Sequence, residues 1–163
     1  MLKLILLLSI TFSMLNSEAK EVKPLAKLTI GRVEWGEIPG MNLRHRSRID
    51  TGAKTTSLHA TNIEEVVRDG QTYVKFVTDN HEGQKKEFIR PVSSRQKVTS
   101  TSGVTSYRYV ILEKIKIGTI EKEISINLHD RSKLTYRLLI GRNFLIGNFL
   151  VDVALSHTQG DDE

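Results

Sequence analysis

Between Leu28 and Val153 the chain is built of short segments in which apolar and polar residues alternate, broken at intervals by Gly, Asp or Asn. An alternation of period two places successive side chains on opposite faces, which is the pattern of a half-buried strand. Leu28 to Trp35 predicts a first strand ending at Gly36, with Pro39-Gly40 as a turn, and Leu43 to Ile49 predicts a second. Val66 to Val77 holds two apolar runs around Asp69-Gly70, a pair that tolerates the positive φ angles of a tight hairpin turn. Phe76 to Phe88 repeats the arrangement around Asn80 to Gly83, and Val110 to Ile117 with Ile120 to Leu128 repeats it around Gly118-Thr119. One short helix is predicted from Arg142 to Leu145, directly after Gly141, and then an apolar strand from Phe149 to Val153. Residues 20–27 read as a flexible lead-in, and the polar, acidic stretch Ser156 to Glu163 reads as a frayed tail. Many short strands with Gly-rich turns predict one all-β domain over residues 28–155, a small barrel or a sandwich. No internal repeat argues for a solenoid.

The first 19 residues stand apart from this pattern. Lys3 precedes an apolar run from Leu4 to Leu15, and Ser17 and Ala19 flank Glu18, the arrangement of a cleavable secretory signal peptide. The run is about a dozen residues and is interrupted by Ser9, Thr11 and Ser13, short of the roughly 20 apolar residues a spanning helix needs. The expectation is a secreted or periplasmic protein with no stable membrane anchor after cleavage. The chain has no cysteine, so disulfides cannot hold it together and its core must. Its formal net charge of +5 favours anionic partners, though the same surplus also serves solubility, and nucleic acid is not expected among the partners.

The chemistry centres on Asp50. It ends the strand from Leu43 to Ile49 and opens the turn Asp50-Thr51-Gly52-Ala53. A carboxylate at a strand-to-turn junction can sit at the floor of a cleft, where Gly52 lets backbone donors approach it and Thr51 can lock the turn. Capping the turn is the alternative role for such an Asp. A second segment, Leu138-Leu139-Ile140-Gly141-Arg142-Asn143-Phe144-Leu145, is an apolar strand, a glycine and a helix start.

Together the two segments resemble the retropepsin-like aspartic proteases, in which an Asp-Thr-Gly-Ala turn is followed late in the chain by apolar residues, Gly, and Arg-Asn or Arg-Asp before a leucine. A closer resemblance is to a bacterial family commonly labelled ATP-dependent zinc protease, whose run Arg-Ile-Asp-Thr-Gly-Ala-Lys-Thr-x-Ser-Leu-His-Ala is matched by residues 48 to 60, with Thr56 at the variable place. The likeness continues through Asn127 to Ser132 and spans residues 28 to 153. It implies a small closed β-barrel, with Asp50, Thr51 and Gly52 catalytic and with Ile140, Gly141 and Arg142 as structural neighbours of the site. Zinc and ATP belong to the label only. The chain has no His-Glu-x-x-His helix and no Gly-x-x-x-x-Gly-Lys-Ser/Thr loop, and no cofactor is expected.

Aspartic proteolysis needs two close carboxylates sharing one proton, so that one activates water while the other protonates the carbonyl oxygen. This chain carries one such motif, and the resemblance implies that a homodimer supplies both Asp50 side chains about a two-fold axis. Thr99 to Val104, with Gly103 in the substrate path, is the candidate flap. Strand alternation puts Arg44, Arg46 and Arg48 on the face of Asp50. Relative to retroviral enzymes, Arg48 replaces an apolar pocket residue, and Lys54, four residues after Asp50, replaces an acidic one that pairs the later arginine. Arg142 must then find another partner. Arg48, Ala53 and Lys54 are therefore the expected substrate contacts, selective for acidic or glutamate-rich peptides, in keeping with the family's association with glutamate-ligase-type enzymes.

Two other functions are compatible with the residues. A metal-dependent hydrolase would draw ligands from His45, His59, His81, His129, Asp130 and Asp50, although none of these has familiar zinc spacing and His59 reads better as a hydrogen-bonded barrel residue. A non-enzymatic module would bind an acidic peptide or cell-wall ligand through the basic strand. Trp35, Tyr107 and Tyr109 read as core.

Overall fold

The computed structural model describes residues 26–99, 103 and 105–160, so the leader and most of the lead-in lie outside the described residues. The chain runs β1 (Leu28–Ile30), β2 (Val33–Ile38), a 3-10 turn (Pro39–Met41), β3 (Leu43–Ile49), β4 (Thr56–His59), β5 (Thr61–Arg68), β6 (Gln71–Asp79) and β7 (Lys85–Pro91). It continues through β8 (Ser94–Thr99), β9 (Thr105–Ile117), β10 (Ile120–His129), β11 (Leu138–Ile140), α1 (Arg142–Leu145) and β12 (Phe149–Val151).

The main sheet has the order β10-β4-β11-β3-β2-β9-β8, and β9 pairs with β10 as well, which curls six of the strands into a ring. The closing contact between β2 and β9 is the single pair Glu37–Lys116. This is a ring-like sheet, not the formal closed barrel expected, because one residue pair does not make a continuous ladder. Inside it lie Leu43, Ile49, Leu58, Ile111, Ile115, Ile126, Leu128, Leu138, Ile140 and Phe144, all buried. Each such side chain contributes about 1.5–3 kcal/mol on burial. That is the hydrophobic core a cysteine-free domain requires.

The predicted hairpins are present. Asp69 and Gly70, with φ of 50° and 76°, close β5 onto β6 in the two-residue turn whose central residues both need positive φ. β5, β6 and β7 form a separate three-stranded sheet that adds Val74 and Phe76 to the core. β9 is the longest strand, and its two halves do different work. From Val110 onward it pairs with β10 in the ring, whereas Thr105 to Val110 pair with β8 in a hairpin whose tip includes Gly103. The expected flap segment begins in β8 at Thr99, and residues 100–102 and 104 lie outside the described residues.

Three details differ from the sequence expectations. The first strand breaks in two at Gly31-Arg32, where the Arg32 amide donates to the Leu155 carbonyl (2.9 Å) and the chain passes so close that a Cβ at Gly31 would lie 2.4 Å from that oxygen; β1 leaves the main sheet and pairs in parallel with β12. The tail expected to fray is anchored over residues 157–159. Buried Glu34 accepts hydrogen bonds from the amides of Gly31 (2.6 Å), Thr158 (3.1 Å) and Gln159 (3.2 Å), and from the Thr158 hydroxyl (2.8 Å). Tyr107 is 74% exposed on the flap strand instead of being core, and Trp35 is partly buried beneath the Arg44 guanidinium at 4.3 Å.

Candidate active site

β3 and β4 flank the Asp50 turn but do not pair with each other. β11 lies between them, parallel to β3 (Leu138 opposite Ser47, Ile140 opposite Ile49) and antiparallel to β4 (Leu138 opposite Leu58, Leu139 opposite Ser57). The ladder reaches the turn itself, since the Asp50 amide donates to the Ile140 carbonyl at 3.0 Å. Ile49 and Ile140, the apolar residues before the two motifs, are both buried and pin the strand ends. Asp50 is half-buried at the mouth, with Thr51 and Gly52 exposed beside it. Its Oδ1 accepts hydrogen bonds from the amides of Gly52 (2.9 Å) and Ala53 (3.0 Å). The turn's own backbone therefore fixes the carboxylate plane, and a Cβ at Gly52 would stand 3.2 Å from that oxygen.

The second motif clamps the turn from beneath. Arg142 donates from one Nη1 to the carbonyls of Thr51 (3.0 Å) and Gly52 (2.7 Å), and its amide donates to the Ala53 carbonyl (2.8 Å). The arginine deprived of an acidic partner by Lys54 thus takes two backbone carbonyls instead. Gly141 must be glycine for a steric reason, because a Cβ there would lie 2.6 Å from the Thr55 carbonyl carbon. The centre of the network is a residue the family pattern leaves open. Buried Thr56 accepts from the Gly141 amide (3.1 Å) and donates its hydroxyl to Asn143 Oδ1 (3.0 Å), which also accepts the Thr56 amide (2.9 Å). Asn143 then donates to the Ser125 carbonyl (2.7 Å), and Asn127 donates to the Thr56 carbonyl (2.9 Å), tying the turn to β10.

The strand alternation expected for β3 is present, with Arg44, Arg46 and Arg48 outside and His45 and Ser47 buried. Only Arg48 belongs to the site. It lines a cleft of about 470 Å³ together with Asp50, Thr51, Ile49, Arg32, Val151 and Val153. Arg32 is a second cation there that sequence reading does not single out. A second cavity, about 300 Å³, opens between the other side of the turn (Ala53, Lys54, Thr55) and the flap strand β8 (Gln96 to Thr99). Arg108 and Arg131 reach into it; Arg131 lies in the Asn127 to Ser132 run and Arg108 in no motif, the sequence assigns neither a role at the site, and ring closure brings both there.

Two of the histidines, His45 and His59, are buried in the core. The His59 Nδ1 accepts the Arg131 amide at 3.0 Å, which requires that nitrogen to be unprotonated, and burial lowers its pKa accordingly. His45 is buried on the inner face of β3, where burial holds its pKa down to about 4 despite the opposing field of Asp79. Among the described residues no group of three or more His, Cys, Asp or Glu is placed to hold a metal, and no helix is long and apolar enough to cross a membrane.

A lone Asp-Thr-Gly turn at the mouth of a ring of strands, pinned by a strand inserted from the later Gly-Arg motif, defines an aspartic endopeptidase unit of the retropepsin type. Residues 29–162 match the family described as RimB-like, retropepsin-like aspartic endopeptidase RimB, and the chain belongs to that family. Among solved structures it is similar to Lpg0085 from Legionella pneumophila, a protein described as of unknown function (DUF785). The TM-score is 0.69 at 32% identity, over 82% of this chain and 99% of that one. Among curated proteins it is 37% identical over 139 residues to a probable alpha-L-glutamate ligase of Parasynechococcus marenigrum, covering 83% of this chain and 30% of that protein. The corresponding protein of Shewanella pealeana is 32% identical over the same length. The chain thus spans about 30% of the length of these curated relatives.

Proposed function

We propose that the chain acts as a homodimeric aspartic endopeptidase on acidic, glutamate-rich peptides, outside the cell or in the periplasm. The observation that carries this reading is the Asp50 carboxylate, held through Oδ1 by two backbone amides at the mouth of a cleft that also presents Arg48 and Arg32. One carboxylate cannot both activate water and protonate the carbonyl oxygen. A second copy supplies the other, and the pair holds one proton because two adjacent carboxylates do not both ionise. The ionised member takes a proton from the water held between them as the water oxygen attacks the scissile carbonyl, and the protonated member gives its proton to the carbonyl oxygen; proton transfer to the amine nitrogen as the C–N bond breaks then completes cleavage.

Substrate choice follows from charge. The cations of the mouth take part in none of the ion pairs formed among the described residues, so their guanidinium groups face the cleft available to a carboxylate. The curated relatives carry a similar region within proteins named as glutamate ligases, and a peptidase beside such an activity would trim glutamyl chains. Export rests on the leader from Lys3 to Ala19. The test is cleavage of end-blocked glutamyl peptides against their glutaminyl counterparts. Preference for Glu, abolished by Asp50→Asn, is expected; equal rates on both peptides, or cleavage that survives Asp50→Asn, would refute it.

A further inference from the structure

The cleft around Arg48 is not the most strongly cationic space next to Asp50. Behind the turn, the cavity between Lys54 and the flap strand is lined by Arg108 from β9, Arg131 from the loop after β10, and Lys97 from β8, with Leu139 as an apolar wall. Arg131 is 7% exposed, and its Nε donates to the Tyr136 carbonyl at 2.9 Å. Arg108 donates from Nη1 to Asn127 Oδ1 at 3.2 Å, while its Nε is buried with no acceptor among the described residues. Other arginines here are matched with acids, Arg90 with Glu113, Arg95 with Glu65 and Arg137 with Asp79, but no described carboxylate lies within ion-pair distance of Arg108, Arg131, Lys54 or Lys97.

A buried cation such as Arg131, and a half-buried one such as Arg108 with its Nε enclosed, are costly without a counter-ion, and they repel one another. Burial lowers the pKa of both guanidinium groups, and for Arg131 the neighbouring Arg108 lowers it further, against the field of Asp50. A ligand carboxylate would relieve both costs. Asn127 makes the arrangement rigid, since it accepts from Arg108 while donating to the Thr56 carbonyl, in the network that holds the Asp50 turn.

We propose that Arg108 and Arg131 form a specificity pocket that takes the side-chain carboxylate of a substrate residue lying under the flap, with Lys54 and Lys97 closing its rim. The proposal rests on the reading of the chain as acting on acidic peptides, and it adds to the Arg48 cleft a second, distinct cavity that reads a further carboxylate. A cavity of about 300 Å³ has room for an acidic side chain, and it lies between the Asp50 turn and the flap strand.

The test separates binding from cleavage. Full-length Asp50→Asn protein is titrated with hexaglutamate and hexaglutamine peptides, both acetylated and amidated so that only side-chain carboxylates differ, and the titration is repeated with Arg108→Gln and Arg108→Lys added. Tighter binding of hexaglutamate is expected, with that preference reduced roughly 10- to 100-fold by Arg108→Gln, as for loss of a charge-assisted hydrogen bond, and largely restored by Arg108→Lys. Circular dichroism of each variant confirms folding. If the preference is present and Arg108→Gln leaves it intact, the pocket assignment is overturned while the acidic-substrate reading survives. If no preference exists in the parent protein, both are overturned.

Discussion

Thr56→Val removes one oxygen from the centre of the network while keeping the side chain's shape and its preference for a strand. The hydroxyl makes two hydrogen bonds, accepting from the Gly141 amide in a buried one and donating to Asn143 Oδ1 in a partly buried one. Asn143 Oδ1 keeps the Thr56 amide as a donor, so that loss costs about 1 kcal/mol, but the buried Gly141 amide is left without an acceptor, which costs roughly 1–3 kcal/mol. The expected loss is about 2–4 kcal/mol, a large share of the 5–15 kcal/mol typical of a domain. Urea unfolding of the purified variant measures it, with Thr56→Ser as the control that keeps the hydroxyl. A cycle with Asn143→Ala should show coupling of about 0.5 kcal/mol or more, because the two side chains touch. A loss below about 0.5 kcal/mol for Thr56→Val, or equal losses for Val and Ser, would show that the hydroxyl does not hold the turn.

The other consequences concern the clamp, the core histidine and the anchored tail. Arg142→Lys should lower kcat at least about tenfold with little change in unfolding free energy, because an ammonium cannot reproduce the planar guanidinium that holds the Thr51 and Gly52 carbonyls; unchanged kcat would remove Arg142 from the positioning role. His45 should make stability depend on pH. Its folded pKa is about 4 against an ordinary 6.5, so between those values the unfolded chain binds the extra proton and stability falls with acidity, by about 3 kcal/mol in total, with the contribution fully present above pH 6.5. Urea midpoints should fall through this window in the parent and fall less in His45→Gln; parallel curves would contradict it. Glu34→Ala should cost about 3 kcal/mol or more and expose the Thr158–Gln159 backbone to hydrogen exchange, because four donors lose one carboxylate; protection equal to the parent's would refute the anchoring.

Much of this architecture was legible locally. Asp69-Gly70 and Gly118 announce their turns because positive φ is a property of the residue itself, and the alternation along Leu43 to Ile49 separates Arg48 from Ser47. Both halves of the site were visible as motifs, and the need of Arg142 for a new partner followed from Lys54. What was not legible depends on closure. Gly31 breaks its strand because Leu155 passes over it, and the tail is ordered because Glu34, more than 120 residues away in sequence, accepts its amides. Thr56 sits at a variable position of the family pattern yet holds Gly141 and Asn143, since its importance comes from β11 and α1 arriving beside it. Arg131 belongs to the Asn127 to Ser132 likeness and Arg108 to no motif, and neither shows its place until the ring brings them behind the Asp50 turn.

The central claim is that catalysis uses one Asp50 from each of two chains. Parent protein and Asp50→Asn protein are co-refolded in varying proportion at fixed total concentration, and the rate on an end-blocked glutamyl peptide is measured across the series. Mixed dimers carry one carboxylate and one amide at the site and should be inactive, so the expected rate falls as the square of the parent fraction. A rate directly proportional to the parent fraction would mean that each chain works with its own carboxylate, and would contradict the shared site.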